Sequence, residues 1–215
     1  MLRYPPNATG TFFPVNFINR GTLFGAMNKL AAAYEFALRA HGQSTRKGTS
    51  IPYIVHPMDV ASILLKNGAP EPLVVAGFLH DVVEDTDTPL SAIVEKFGEE
   101  VGRLVAGASE PEGLKRDPDK KGTWRARKAH TIDHIGAASR EQRMLSCADK
   151  LANISDMLRE RVAAGDGFWS KFNATKEDQA WYYRSMHGAL GAGPGSIADL
   201  PMYAELGDCI RRLFG

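Results

Sequence analysis

The sequence predicts an all-α protein with a single domain. Apolar residues recur at helical spacing in one segment after another, and no segment shows the strict alternation of a half-buried strand. A length of 215 residues is enough for one substantial core and marginal for two. We therefore expect residues 22–215 to form one helical bundle. Residues 1–21, which contain three prolines and two glycines without a clear period, should form an irregular N-terminal arm.

The first predicted helix spans residues 23–41 and ends before a glycine. His41 extends its inner face, and we interpret it as a hydrogen-bonded structural residue rather than a ligand. A polar loop follows at residues 42–53. His56 precedes a proline, which disfavours the α conformation before it and suits the first helical turn after it. We therefore expect His56 at the start of a second helix that stops at Asn67.

The third predicted helix, residues 73–85, carries the most informative pattern. At about 100° per residue, four ionisable side chains fall within one arc of roughly 140°, opposite an aliphatic arc. They are His80, Asp81, Glu84 and Asp85. Three clustered carboxylates repel one another unless a cation or protons intervene, so this face indicates a metal site, with a solvated acidic face as the alternative. Gly77 lies in the same arc, where a missing side chain would let a ligand come close.

The second half of the chain continues the helical pattern. The further predicted helices lie at residues 91–97, 101–106, 124–137 and 142–164, and a short last one ends near residue 214. Residues 107–123, rich in proline, glycine and charge, predict a long surface loop. Asp149 stands amid the apolar period of the longest helix, with Asn153 on the same face. Burying an unpaired polar group costs about 2–7 kcal/mol, so we expect Asp149 to have a partner.

Composition narrows the classes of function. The formal net charge of +1 gives no reason to expect bulk binding to nucleic acid or to an anionic membrane. No apolar run approaches the ~20 residues of a membrane helix, and no signal-peptide pattern opens the chain, so we expect a soluble cytoplasmic protein. The two cysteines, Cys147 and Cys209, have no zinc spacing and predict no disulfide framework. A homo-oligomer is compatible with the sequence.

Four ionisable residues stand where the local sequence gives no structural reason for them. They are His56, His80, Asp81 and Asp149, and they come from three separate predicted helices. Two imidazoles and two carboxylates without a thiol suit a borderline-to-hard divalent ion such as manganese, iron, zinc or cobalt. Spacing alone does not choose among these metals.

The motifs between residues 30 and 160 resemble those of the HD-domain metal phosphohydrolases, all-α proteins named for a His-Asp pair that is His80-Asp81 here. Within that family the chain is most similar to the hydrolase domain of RelA/SpoT-type alarmone enzymes. The matching segments are 40–43 (AHGQ), 46–47 (RK), 52–57 (PYIVHP), 78–86 (FLHDVVEDT), 97–98 (FG) and 148–153 (ADKLAN). The Glu84-Asp85 pair is the most specific element, because general HD phosphohydrolases commonly lack it. The chain has no room for a synthetase domain, so it looks like a single-domain small alarmone hydrolase of the metazoan type.

The resemblance implies a role for each matching residue. One ion, Mn²⁺ by family habit, would be held by His56, His80, Asp81 and Asp149. Glu84 and Asp85 would orient or deprotonate the attacking water. The implied reaction splits the 3′-pyrophosphate from the small nucleotide ppGpp or pppGpp, which leaves GDP or GTP. The implied substrate contacts are Arg46 and Lys47 at the base, Asn153 near the ribose, Lys128 at a 5′-phosphate, and Tyr182 or its neighbour Tyr183.

Departures from the family pattern keep alternatives open. The loop between Gln43 and Arg46 is longer than the usual Gly-Gln-x-Arg-Lys spacing, which leaves the preferred purine undecided. Adenine alarmones, or NADPH in a 2′-phosphatase reaction, would use the same ion. Lys128 also fits a solvated basic helix face, and Tyr182 also fits the core. A nucleotide-binding regulatory module without turnover is a further alternative, although such a module has no need of the whole set of site residues.

Overall fold

The computed structural model describes residues 20–109 and 122–215, and those ranges are built from helices. In chain order they are α1 (Arg20–His41), α2 (Val55–Lys66), α3 (Glu71–Leu79), α4 (Val82–Asp85), α5 (Leu90–Phe97), α6 (Glu99–Ala108), α7 (Trp124–Ala137), α8 (Arg140–Ala164), α9 (Lys176–Gly191) and α10 (Pro201–Phe214). A 3₁₀ segment (Gly165–Lys171) follows α8. The β pairing found within the described ranges is an isolated antiparallel bridge between Thr45 and Pro52. The all-α prediction is confirmed.

Two predicted irregular segments fall largely outside the described residues. Of the predicted arm, residues 1–19 lie outside them, and α1 already includes residues 20 and 21. Of the predicted loop at 107–123, residues 110–121 lie outside them, and α6 continues to Ala108. Among the described residues, no helix is both long enough and apolar enough to cross a membrane.

Helix α8 is the central element and packs against α2, α3, α6, α7, α9 and α10. It begins two residues earlier than expected because Ser139 caps it, with its hydroxyl accepting from the Gln142 amide at 3.3 Å. Apolar residues of this helix, including Leu145 and Ile154, are buried in the core. The cysteine on this helix, Cys147, is a buried free thiol.

Helix α3 is buried on almost every side, as expected of a helix that is apolar all round. It packs against α1, α2, α6 and α8. The expectation that Gly77 opens a path for a ligand is wrong. A Cβ atom at Gly77 would lie 2.7 Å from Leu64 Cδ1 and 3.5 Å from Ala61 Cα, so the glycine lets α2 and α3 approach closely.

Arg143 fixes the ends of α7 and α9 to α8. Its guanidinium is fully buried and donates only to backbone carbonyls among the contacts found. Gly136 and Ala138 accept at the end of α7, and Ala189 and Ala192 accept at the end of α9. Carbonyls at helix C-termini lack helical partners and carry partial negative charge, so a cation satisfies them. Helices α7 and α9 thereby stand as one wall of the cavity described next.

Candidate metal centre and its cavity

The four predicted metal ligands converge from three places in the fold. His56 is the second residue of α2, His80 and Asp81 lie between α3 and α4, and Asp149 lies within α8. The His56 Nε2 atom is 3.4 Å from Asp81 Oδ2 and 3.3 Å from Asp149 Oδ1. The His80 Nε2 atom is 3.2 Å and 3.9 Å from the same two oxygens. Both imidazoles are buried, whereas the two carboxylates are partly accessible.

The predicted helix at residues 73–85 is interrupted at the His-Asp pair. Helix α3 ends at Leu79 and α4 begins at Val82, with His80 and Asp81 in a turn between them. The His80 Nδ1 atom is 2.9 Å from the Gly77 carbonyl, which in an unbroken helix would accept from the Asp81 amide. A side-chain bond therefore replaces a backbone bond at this point.

The same bond orients His80 for coordination. When Nδ1 donates its proton to the Gly77 carbonyl, a metal that displaces the Nε2 proton would meet a lone pair directed toward Asp81 and Asp149. Although two carboxylate oxygens approach it, this buried Nε2 makes no hydrogen bond to any of the described residues. A buried nitrogen without a hydrogen bond is costly unless another partner occupies the site.

The distances from the two imidazole nitrogens to the two carboxylate oxygens fit a shared divalent ion. Two ligand atoms about 2.1 Å from one ion, at angles between octahedral and tetrahedral, lie about 3.0–3.4 Å apart. Three of the four imidazole–carboxylate distances fall in or at the edge of this range, and the fourth, 3.9 Å, corresponds to a wider angle. The ligand atoms of His56, His80 and Asp81 all lie within 4.8 Å of one another. Imidazole nitrogens and carboxylate oxygens are suitable for several first-row metals.

The pKa directions show strong attraction between the imidazoles and the carboxylates. Burial alone would lower the pKa of His80, but the charges of Asp81 and Asp149 outweigh it and raise that pKa to about 9. Burial would raise the pKa of Asp81, yet His80 and His56 hold it well below its usual range. The pKa of Asp149 is likewise lowered, since Lys150 and the imidazoles outweigh its burial. A cation in this place replaces the attraction that the protonated imidazoles supply.

Two residues that we did not predict support the carboxylate ligands. Tyr53 donates its hydroxyl to Asp81 Oδ2 at 2.6 Å. Lys150 lies 2.5 Å from Asp149 Oδ2, while the Asn153 amide donates to Asp149 Oδ1 at 2.6 Å. The expected partner of Asp149 therefore exists. Lys150 directly follows Asp149 in the sequence and so could have been suspected, but Tyr53 and Asp81 are 28 positions apart and no local signal connects them.

The ligand cluster opens into a cavity of about 990 Å³. The cavity is lined by most of the predicted site residues, namely Arg46, His56, His80, Asp81, Glu84, Asp85, Lys128, Asp149, Asn153 and Tyr182. Lys47 is exposed and does not line it. The cavity also has a row of side chains from α7 that we did not predict, including His130, Thr131 and His134.

The cavity is lined by charges of both signs. Glu84 and Asp85 lie next to the ligand cluster, and burial together with the nearby Asp81 charge raises the pKa of Asp85. Lys128 and Lys150 lie 5.2 Å and 6.0 Å from the centre of the Tyr182 ring. The Tyr182 hydroxyl is buried without a hydrogen-bond partner in the described part of the chain. A buried hydroxyl without a partner, on a ring that two lysines approach, suits a bound anion or hydroxyl group.

His41 differs in part from its expected role. It is buried beside the ligand cluster, yet Nε2 forms no hydrogen bond with the described residues. Its ring packs on that of Tyr53 with ring centroids 4.4 Å apart. His41 therefore supports the tyrosine that holds Asp81, and it does so by ring contact rather than by the hydrogen bond we expected.

Comparison with known proteins agrees with these features. The model of the HD domain matches residues 33–166. A guanosine-3′,5′-bis(diphosphate) 3′-pyrophosphohydrolase of Aquifex aeolicus is 35% identical over 131 residues, which are 60% of this chain and 18% of that protein. The Homo sapiens protein named guanosine-3′,5′-bis(diphosphate) 3′-pyrophosphohydrolase MESH1 is 36% identical over 134 residues, which are 61% of this chain and 70% of that protein.

A solved structure extends the likeness to the fold. It is described as a metazoan ortholog of SpoT that hydrolyses ppGpp, and it matches with a TM-score of 0.67 at 24% identity, over 86% of this chain and 94% of that one. The chain spans less than a fifth of three bacterial relatives, so it corresponds to one part of those longer proteins.

Proposed function

The chain belongs to the HD-domain family, and from this premise we propose that it is a metal-dependent (p)ppGpp 3′-pyrophosphohydrolase. The reaction adds water to the 3′-linked phosphorus and breaks its bond to the ribose 3′-oxygen, which leaves with a proton. GDP or GTP and pyrophosphate are the products. The observation that carries the proposal is the cluster of His56, His80, Asp81 and Asp149, with both imidazoles buried, at the edge of a nucleotide-sized cavity.

We propose Mn²⁺ as the ion held by His56, His80, Asp81 and Asp149. Their nitrogen and oxygen atoms suit it, and the family resemblance favours it over other first-row metals. When bound, the ion supplies Lewis-acid activation of water and of the phosphoryl group. Tyr53 and Lys150 fix one oxygen each on Asp81 and Asp149, which keeps both carboxylates turned toward the histidines.

Glu84 and Asp85 are the proposed proton acceptors. Both line the cavity, and they are the last two residues of α4, the short helix that follows the His-Asp pair. The raised pKa of Asp85 makes it a better base than an ordinary carboxylate. Tyr53, which donates to Asp81, lines the same cavity as Asp85 and helps to set its pKa.

The proposed nucleotide site is the part of the cavity lined by Arg46, Asn153, Lys128 and Tyr182. Arg46 would stack on the base, Asn153 would bond near the ribose, and Lys128 with Tyr182 would hold a phosphate. The exposed position of Lys47 gives it at most a contact at the rim. Nucleotide substrates and two free thiols fit the cytoplasm as the place of the reaction. We propose no nucleic-acid or membrane partner. Analytical ultracentrifugation would show whether the chain forms a homo-oligomer.

The test is a Mn²⁺-supplemented turnover assay on ppGpp, ppApp and NADPH side by side, with released pyrophosphate distinguished from released phosphate. We expect pyrophosphate from ppGpp. Asp81→Ala should abolish both turnover and Mn²⁺ binding, whereas Asp199→Ala, which removes an exposed partner of Arg140, should do neither. A preference for ppApp would indicate a hydrolase of adenine alarmones instead, and phosphate release from NADPH would indicate a 2′-phosphatase. Mn²⁺ binding without turnover would indicate a regulatory module.

A further inference from the structure

Arg46 is held in place by two residues of α8. Its Nη2 atom donates to Asn153 Oδ1 at 2.7 Å and to Asp156 Oδ2 at 3.0 Å. The side chains of Arg46 and Asp156 are 19% and 20% exposed, so this ion pair is largely shielded from water. A charge-assisted bond in such a place is stronger than one at the open surface.

The backbone of Arg46 is also fixed. The Arg46 amide donates to the Ile51 carbonyl at 2.8 Å, and the Arg46 carbonyl accepts from the Thr49 amide at 3.0 Å. The Thr49 hydroxyl donates to the same carbonyl at 2.9 Å. Gly48 has a φ of 76° and so permits the tight turn. Residues 46–51, which directly follow the segment that is longer than in the family pattern, therefore form a closed turn that fixes the backbone of Arg46.

The two anchors leave the guanidinium face usable. Both bonds leave from one nitrogen, and the guanidinium carbon lies 5.7 Å from the centre of the Tyr53 ring. Arg46 and Asn153 line the cavity, whereas Asp156 does not. Asp156 thus approaches Arg46 from outside the cavity, with its other oxygen paired to Arg159. A planar guanidinium backed by a tyrosine ring is suited to stack on a base with its opposite face.

We infer that Asp156 is a positioning residue for nucleotide binding, which acts by holding Arg46 in the orientation that stacks on the base. The inference rests on the proposed function in assigning a nucleotide to the cavity. Stacking engages the face of a base and not its edge, so Asp156 raises affinity for guanine and adenine nucleotides alike. Among the contacts of the described residues, Asp156 is linked to the ligand cluster only indirectly. It bonds Arg46, Arg46 bonds Asn153, and Asn153 bonds Asp149.

The first test compares Asp156→Asn with wild type in the Mn²⁺-loaded full chain. We expect the KM for ppGpp to rise about ten-fold, as for the loss of a shielded charge-assisted bond, with kcat nearly unchanged. The KM for ppApp should rise to a similar extent if it is turned over. Asp208→Asn is the matched control, because it removes an exposed ion pair with Arg211 on α10. Asp156→Glu should recover part of the affinity.

A double-mutant cycle separates positioning from a general structural role. If Asp156 acts through Arg46, Asp156→Asn should have almost no further effect on KM in an Arg46→Ala background. Equal effects in both backgrounds would overturn the inference, and so would an unchanged KM in the single variant. Isothermal titration of GDP into each Mn²⁺-loaded protein gives the same comparison without turnover. If the wild-type chain fails to hydrolyse ppGpp but Asp156→Asn still binds GDP more weakly than wild type, the inference is upheld and the proposed function is rejected.

Discussion

The hydroxyl of Tyr53 offers the sharpest test of how the ligand cluster is held. Tyr53→Phe removes one oxygen that donates to Asp81 Oδ2 at 2.6 Å, and it keeps the ring that packs on His41. A hydrogen bond to a charged group contributes about 1.5–3 kcal/mol, which corresponds to about 10–150-fold in an equilibrium constant. Loss of residues that orient metal ligands costs about 10–100-fold in metal affinity. We therefore expect Mn²⁺ affinity to fall by one to two orders of magnitude.

The assay is isothermal titration of Mn²⁺ into metal-free protein, followed by turnover at saturating Mn²⁺. Tyr34→Phe is the matched control, because the Tyr34 ring packs edge-on against Phe78 with ring centroids 6.2 Å apart and does not line the cavity. Turnover of Tyr53→Phe should recover partly at high Mn²⁺, since all four ligands remain. An unchanged dissociation constant would refute the view that Tyr53 orients Asp81, whatever the activity.

Three further outcomes follow from the same geometry. Glu84→Gln should retain Mn²⁺ binding but lose about 100-fold or more in kcat, as expected for a general base, and a wild-type rate would remove Glu84 from the mechanism. Gly77→Val should lower the free energy of unfolding, measured by urea titration, by about 1–3 kcal/mol, because the new side chain would overpack against Leu64. If the variant kept its stability but no longer bound ligand, Gly77 would instead serve to let a ligand come close. The metal-free protein should lose up to about 3 kcal/mol of stability between pH 6.5 and 9, because folded His80 keeps its proton to about pH 9 and unfolded histidine only to about 6.5. Urea titrations with a chelator at both pH values measure this loss, and a flat or rising stability would contradict it.

The proposed metal ligands could be picked out in the sequence because each of them breaks a local pattern. Asp149 interrupts the apolar period of a long helix, and His56 stands before a proline at a helix start. Each is anomalous within a few residues of sequence, and the structure brings both to within 3.3 Å of each other. The same local reasoning failed at His80-Asp81, where it extended a helix through a point at which the His80 side chain takes the Gly77 carbonyl. Periodicity describes an ideal backbone and does not register a side chain that competes for one of its hydrogen bonds.

Contacts between distant parts of the chain could not be predicted in this way, because they leave no anomaly in the local sequence. Arg46 and Asp156 are 110 positions apart, and Asp156 has the spacing of an ordinary solvated residue on a helix. Arg143 likewise resembles a surface arginine in the sequence, yet it is fully buried among the carbonyl ends of α7 and α9. Such roles depend on how helices cross and which ends meet, and those are properties of packing rather than of any local pattern.

By itself, then, the sequence determined the helical class and the order of most helices, and it singled out the four ionisable residues that the structure brings together at the proposed metal site. The helical spacing of apolar residues, and the ionisable residues that interrupt it, can be recognised in short stretches of sequence without knowledge of the fold. Only the tertiary structure decided that Tyr53 and Lys150 hold the carboxylates, that Gly77 serves helix packing, and that Asp156 fixes Arg46. The physical reason is that each of these relations is a distance between separate helices or loops, and such distances exist only once the core has closed.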